Sequence, residues 1–226
     1  MNIFICGIAG RTGRQTVVHL VARGDSVSGL CRSHEQATAI EGLGAQTRIG
    51  DLTTISVSTL AEAMRGAEAI VFAAGAGEND ADAFFDAVVL RGLQKAMAAA
   101  HLGGIARLLL VSVFPEAWRG GDAPPSFEHY LRVKKKADVA LAHSLLDWII
   151  LRPSSLTDDP GTGKITLSAA EIHTTISRVD VAATIVALLH APGVHQRVLE
   201  VTGGTVPIEA AVDALLYRGS SMTLPP

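Results

Sequence analysis

Apolar residues along this chain fall into short β-rich runs, and between them lie longer stretches in which Ala, Leu and Val recur at helical spacing. Residues 2–6 predict a first strand and 12–24 its helix, ended by Gly24. A second strand follows at 26–32, a helix at 35–41, a short strand at 45–51 and a helix at 55–66 ended by Gly66. The fourth strand, 67–75, stops in the small residues Ala73, Ala74 and Gly75. A long helix at 81–101, a fifth strand at 105–113, a helix at 127–143 and a sixth strand at 146–153 complete the regular part. Strand alternating with helix predicts an α/β chain: a Rossmann-type, doubly wound, mostly parallel sheet with helices on both faces.

The pattern loosens in two places. Residues 114–129 are rich in Pro and Gly and predict a surface loop. Residues 154–167 are turn-rich, after which Ser177 and Asp180 form a capping-box pattern that opens a helix at 178–190. A last strand at 197–204 and a last helix at 207–217 follow. With no repeat and no clear linker, residues 1–226 read as one dinucleotide-binding domain, its substrate-side portion at about 151–226.

Composition narrows the class. Hydrophobic residues make up 48% of the 226 positions and charged ones 18%, enough apolar surface for a core and too little charge for a disordered chain. A net charge of −3 argues against a general nucleic-acid or membrane-surface partner. No apolar run reaches the ~18 residues of a membrane span, and the N-terminus lacks the marks of a signal peptide, so a cytoplasmic protein is expected. Cys6 and Cys31 lie in strand-like runs and read as reduced core thiols.

Directly after the first strand comes CGIAGRTGRQTV, with Gly7, Gly10 and Gly13 at equal spacing. Such a turn aims the unpaired amides of a helix N-terminus at an anion, and glycine lets the backbone approach a pyrophosphate. Gly7, Ala9, Gly10, Arg11, Thr12 and Gly13 are therefore cofactor candidates. Where an NAD site carries an acid at the end of the second strand, this chain has Arg32 and Ser33, which favour the 2′-phosphate of NADP(H), with NAD(H) possible. Arg11 is expected to reach the same phosphate; the alternative is that both arginines face solvent, Arg32 pairing with Glu35. Asp51 with Leu52, after the third strand, and Ala73, Ala74 and Gly75, after the fourth, point at the same crevice, Asp51 toward the adenine amino group; for both, ordinary loop chemistry is the alternative.

Together with the stretches GDL, VFAAG, LLLVSV, VKKKADVALAHSLLDWIILRPSSLTDDPGTG and ISRVDVAATIVALL, the glycine turn resembles the short-chain dehydrogenase/reductase superfamily. It is most similar to the atypical NAD(P)H-binding branch that includes NmrA-like and biliverdin/flavin-reductase-like proteins. Tyr130 and Lys134 form a Y-x-x-x-K on one helix face. The resemblance implies that Tyr130 exchanges a proton with the substrate carbonyl, and that Lys134 lowers the phenol's pKa and contacts the nicotinamide ribose. It also implies that Ser112 hydrogen-bonds the substrate oxygen and that Arg152, Pro153, Ser154 and Ser155 line the nicotinamide end. Lys134 alternatively belongs to a solvated lysine run, Lys134–Lys136, and Phe114, Trp118 and Phe127 either cover an apolar substrate or anchor their loop.

The eight histidines show no metal spacing, His190 and His195 read as surface residues, and no metal is expected. No GxSxG elbow or nucleotide-triphosphate loop is present. The sequence thus predicts an NADPH-dependent oxidoreductase acting on a small carbonyl, quinone or flavin-like molecule. A non-catalytic NADP(H)-binding regulator or assembly factor is the alternative. A sugar-nucleotide epimerase or dehydratase is disfavoured, since only about 70 residues follow the sixth strand. Oligomeric state has no signature.

Overall fold

Along each central strand, alternate side chains enter two different cores, the period-two geometry of a sheet buried on both faces. Ile3 and Ile5 of β1 (Asn2–Cys6) pack in one layer, while Phe4 and Cys6 pack in the other. The computed structural model describes residues 1–75, 82–115 and 125–218. After β1 come α1 (Arg11–Arg23), β2 (Ser26–Cys31), α2 (His34–Glu41), β3 (Gln46–Ile49), α3 (Val57–Ala63) and β4 (Ala69–Phe72). Next are α4 (Asp82–Phe85), a π-helical segment (Asp86–Arg91), α5 (Gly92–Gly103), β5 (Arg107–Val111), α6 (Pro125–Ala142) and β6 (Asp147–Pro153). The remainder forms β7 (Ser155–Thr157), β8 (Lys164–Ser168), β9 (Thr175–Ser177), α7 (Arg178–Leu189), β10 (Arg197–Gly203), β11 (Val206–Pro207) and α8 (Ile208–Arg218).

The main sheet has the order β11-β8-β10-β6-β5-β4-β1-β2-β3. From β3 to β10 every neighbouring pair is parallel, whereas β8 runs antiparallel to both β10 and β11. The run 3-2-1-4-5-6 is the doubly wound Rossmann order, in which the direction of strand addition reverses between β1 and β4 and leaves a crevice beyond the strand C-termini. One layer packs Val17 and Leu20 of α1 with Val181 and Ile185 of α7 against the sheet. The other packs Leu60 of α3, Leu93 of α5 and Val133 of α6. Each fully buried side chain of this size contributes about 1.5–3 kcal/mol relative to exposure.

Several expectations change. The long helix at 81–101 contains a π-helical segment that carries the buried Val88 and Val89. The turn-rich stretch holds β8, whose side chains are mostly half-buried and whose register comes from pairing Leu167 with Val201 of β10. β7 and β9 add a separate parallel pair. His190 is a packed residue: its Nε2 lies 2.9 Å from Oδ2 of the buried Asp25, tying the end of α7 to the start of β2. Arg107 closes the same C-terminal end of α7, its NH2 donating to the carbonyls of Leu188, Ala191 and Val194. No helix among the described residues is long and apolar enough to cross a membrane.

Candidate functional site

At the switch between β1 and β4 a cleft of about 180 Å³ opens above the strand ends. Its floor is the glycine turn. Gly7 has φ +88°, and a Cβ there would stand 2.5 Å from the amide nitrogen of Ala74. At Gly13 a Cβ would stand 2.2 Å from the Gly7 carbonyl oxygen. No other residue type fits either position, because the turn must pack directly on the end of β4 and on α1. Gly10 caps α1 with no side-chain hydrogen bond, and Arg14 Nε holds the turn by donating to the Ala9 carbonyl at 3.0 Å. The first amides of α1 are left for an anion.

Gly7, Ala9 and Gly10 line one wall of this cleft, with Ala73, Ala74 and Gly75 beside them. Arg32 after β2, Gln36 of α2, Asp51 and Leu52 continue the lining. Leu30, Gln36, Phe84 and Val88 also line it and were not singled out from the sequence. Gln36 Oε1 accepts from the Arg32 amide, and the Ser33 hydroxyl accepts from the Gln36 amide as the N-cap of α2. Asp51 Oδ1 accepts from both the amide and the hydroxyl of Thr53, 2.7 Å each. Burial pushes the Asp51 carboxyl up, but those hydrogen bonds, with Arg32 and Lys95 nearby, outweigh it and hold the group below its ordinary range. Lys95 pins the loop by donating to the carbonyls of Leu52 and Thr53.

Arg11 departs from its expected place. Its guanidinium is 2.9 Å from Asp158, whose other oxygen takes Arg178 at 2.7 Å, so Arg11 is paired toward the C-terminal portion and not toward Arg32. Thr12 and Gly13 sit in the first turn of α1, below the cleft lining.

The C-terminal ends of β5 and β6 carry a buried polar network. Asp138 of α6 accepts from the Ser112 hydroxyl on one oxygen, at 2.5 Å, and from Nε and NH2 of Arg152 on the other, at 3.0 and 2.9 Å. Arg152 NH1 also lies 3.6 Å from Glu200. Lys134 is buried and donates to the Val111 carbonyl at 2.9 Å, with its ammonium 5.8 Å from the centroid of the Tyr130 ring. Lys134 is therefore not part of a solvated face. Burial lowers its pKa to about 8, against the pull of Asp138.

Tyr130 packs beside Phe85 and Phe127. The expected lowering of its pKa is reversed: burial, helped by the Asp138 charge, pushes the phenol up to about 12. Tyr130 is a firmly protonated donor in this state. Ser112 also differs from expectation, since its proton is committed to Asp138. The buried Ser154 accepts from the Thr174 amide, and Ser155 Oγ lies 3.3 Å from His173 Nε2, so both hydroxyls meet the segment before β9. Pro153 is buried as the last residue of β6. Phe114 is buried and meets the His173 ring edge-on, while Trp118 lies outside the described residues.

Asp138 is the residue that sequence reasoning missed. It stands four positions after Lys134 and eight after Tyr130, on the same face of α6, a spacing visible in the sequence. Cys6 and Cys31 are free and buried, and burial pushes the Cys6 thiol up to about 12.

A family model described as NAD(P)H-binding matches residues 7–192. A Bacillus subtilis (strain 168) protein named as the uncharacterized sugar epimerase YhfK is 32% identical over 216 residues, 95% of this chain and 100% of that protein. The solved structure of a putative NAD-dependent epimerase/dehydratase from Bacillus halodurans superposes with a TM-score of 0.86 at 29% identity, covering 95% of this chain and 99% of the other. ChuY, an anaerobillin reductase from Escherichia coli O157:H7, superposes with a TM-score of 0.76 at 26% identity, covering 91% and 98%.

Proposed function

The chain belongs to the NAD(P)H-binding family of the atypical short-chain dehydrogenase/reductase type, and on that premise we propose that it is an NADPH-dependent oxidoreductase for a small carbonyl, quinone or flavin-like acceptor. One observation carries the cofactor choice: Arg32, which makes no ion pair within salt-bridge distance among the described residues, lines the same cleft as the glycine turn. In this reading the α1 amides hold the pyrophosphate, Arg32 and Ser33 take the 2′-phosphate, and Asp51 faces the adenine. The small residues Ala73–Gly75 let the dinucleotide lie against the backbone.

Bound there, the reduced nicotinamide supplies a hydride. Tyr130 holds the proton that a reduced carbonyl oxygen takes up, and the Lys134 ammonium offsets the phenolate left behind. Ser112 and residues 152–155 stand at the β5 and β6 ends, where the nicotinamide end falls in a doubly wound sheet. A quinone or flavin delocalises the incoming charge and depends less on Tyr130.

The reductase name of ChuY supports this reading. Two other relatives, covered over 99–100% of their length, carry epimerase names; in this chain residues 155–218 build the sheet edge and the α7 layer. A regulator without turnover has one observation in its favour, the phenol held at about 12. Following NADPH absorbance at 340 nm against quinones, flavins and aldehydes separates the two. Oxidation by at least one acceptor, falling about a hundredfold for aldehydes in Tyr130→Phe, is expected. Tight NADPH binding with no oxidation by any acceptor would overturn the enzyme.

A further inference from the structure

The Ser112 side chain has one proton and two acceptor lone pairs. Its proton goes to Asp138 Oδ1, and no other hydrogen bond to that hydroxyl occurs among the described residues. Asp138 is buried, and its second oxygen is already an acceptor for two nitrogens of Arg152. A carboxylate in that state only accepts. Ser112 Oγ is thereby turned into an acceptor, with unfilled lone pairs, at the C-terminal end of β5.

Tyr130 has the opposite polarity. Its hydroxyl has no hydrogen-bond partner among the described residues, and its protonated form is favoured by burial. The two groups therefore offer one donor and one acceptor.

We propose that Asp138 is a positioning residue that fixes Ser112 as a hydrogen-bond acceptor, and that the site selects acceptors presenting an N–H or O–H donor beside the carbonyl that faces Tyr130. This inference rests on the reductase reading and narrows it, since simple aldehydes and unsubstituted quinones carry no such donor. A serine that donated its proton to a carbonyl would show the reverse preference.

The test uses the full chain and a matched pair of probes, riboflavin and N3-methylriboflavin, which differ in one N–H. With NADPH, the wild-type protein is expected to favour riboflavin by about tenfold in kcat/KM, the scale of one hydrogen bond whose removal leaves a group unpaired. Ser112→Ala removes the acceptor with little change in volume, and should bring the ratio near one whatever it does to the absolute rates. Asp138→Asn, which leaves Ser112 able to keep or release its proton, should narrow the ratio while NADPH fluorescence titration still reports binding.

Equal kcat/KM for the two flavins in the wild type overturns the inference and leaves the reductase reading standing. With no turnover at all, the reductase reading fails on its own, and flavin fluorescence quenching on NADP-loaded protein still decides this one. A tenfold tighter riboflavin supports it; equal affinities, or binding of neither flavin, overturn it.

Discussion

The two ends of the crevice are finished on opposite plans. At the glycine turn, side chains are withdrawn: α1 begins on Gly10 with no side-chain cap, whereas α2, α3 and α7 begin on Ser33, Ser56 and Ser177, each accepting a backbone amide. At the ends of β5 and β6, side chains are instead spent on one another, through Ser112, Asp138, Arg152 and Glu200. Bare amides suit a bulky anion that arrives from outside. A closed carboxylate–guanidinium network suits a place where the position of individual protons matters.

Substitutions at the two ends should fail differently. The largest loss is expected for Gly7→Val, because the positive φ and the 2.5 Å approach to Ala74 leave no room for a side chain. NADPH fluorescence titration should show no binding, and retained affinity would mean that the turn does not carry the cofactor. Next, Asp138→Ala leaves the buried Arg152 guanidinium with only Glu200 at 3.6 Å and should destabilise the fold by about 3 kcal/mol in urea unfolding. A change below about 1 kcal/mol would show the network to be solvated. Arg32→Glu should leave stability alone yet weaken NADPH by roughly ten- to a hundredfold, with NADH nearly unaffected. Equal losses for both cofactors would remove Arg32 from the 2′-phosphate.

The smallest effect is on pH dependence. Lys134 binds its proton less tightly folded, at about 8, than its ordinary value of 10.5. Between those values the unfolded chain holds more protons, so this group's contribution to stability rises with pH by roughly 1 kcal/mol per unit. Tyr130 acts the other way from pH 10 to about 12, where the folded chain holds more protons. Thermal melts from pH 7.5 to 9.5, compared with Lys134→Met, should show the rise only in the wild type.

Legibility followed the same divide. The doubly wound class and much of the cleft lining could be read because a glycine turn, Arg32 and Ala73–Gly75 sit at the ends of strongly patterned strands, where position follows from the local pattern. The other end depends on contacts that no local pattern encodes. Ser112 and Asp138 are 26 residues apart, and Arg152 is 14 beyond Asp138. The motif Y-x-x-x-K located Tyr130 and Lys134 on one helix face, but only packing determined that the lysine is buried and the phenol held high. β8 escaped notice for a related reason: a half-buried strand at a sheet's rim takes its register from its partner. The Arg11–Asp158 pair is equally invisible locally, its partners lying 147 residues apart.

The π-helical segment at Asp86–Arg91 has a genetic corollary. A π turn is an α-helix carrying one surplus residue, and here the segment includes Val88, which lines the cleft. Deleting a single codon within the segment should relax it to ordinary α pitch while Leu93, Ala96 and Ala100 of α5 keep their seats in the core. The same deletion made inside α5 would rotate every later side chain by about 100°. Length variation between homologous chains is thus expected to collect at this one stretch of the helix.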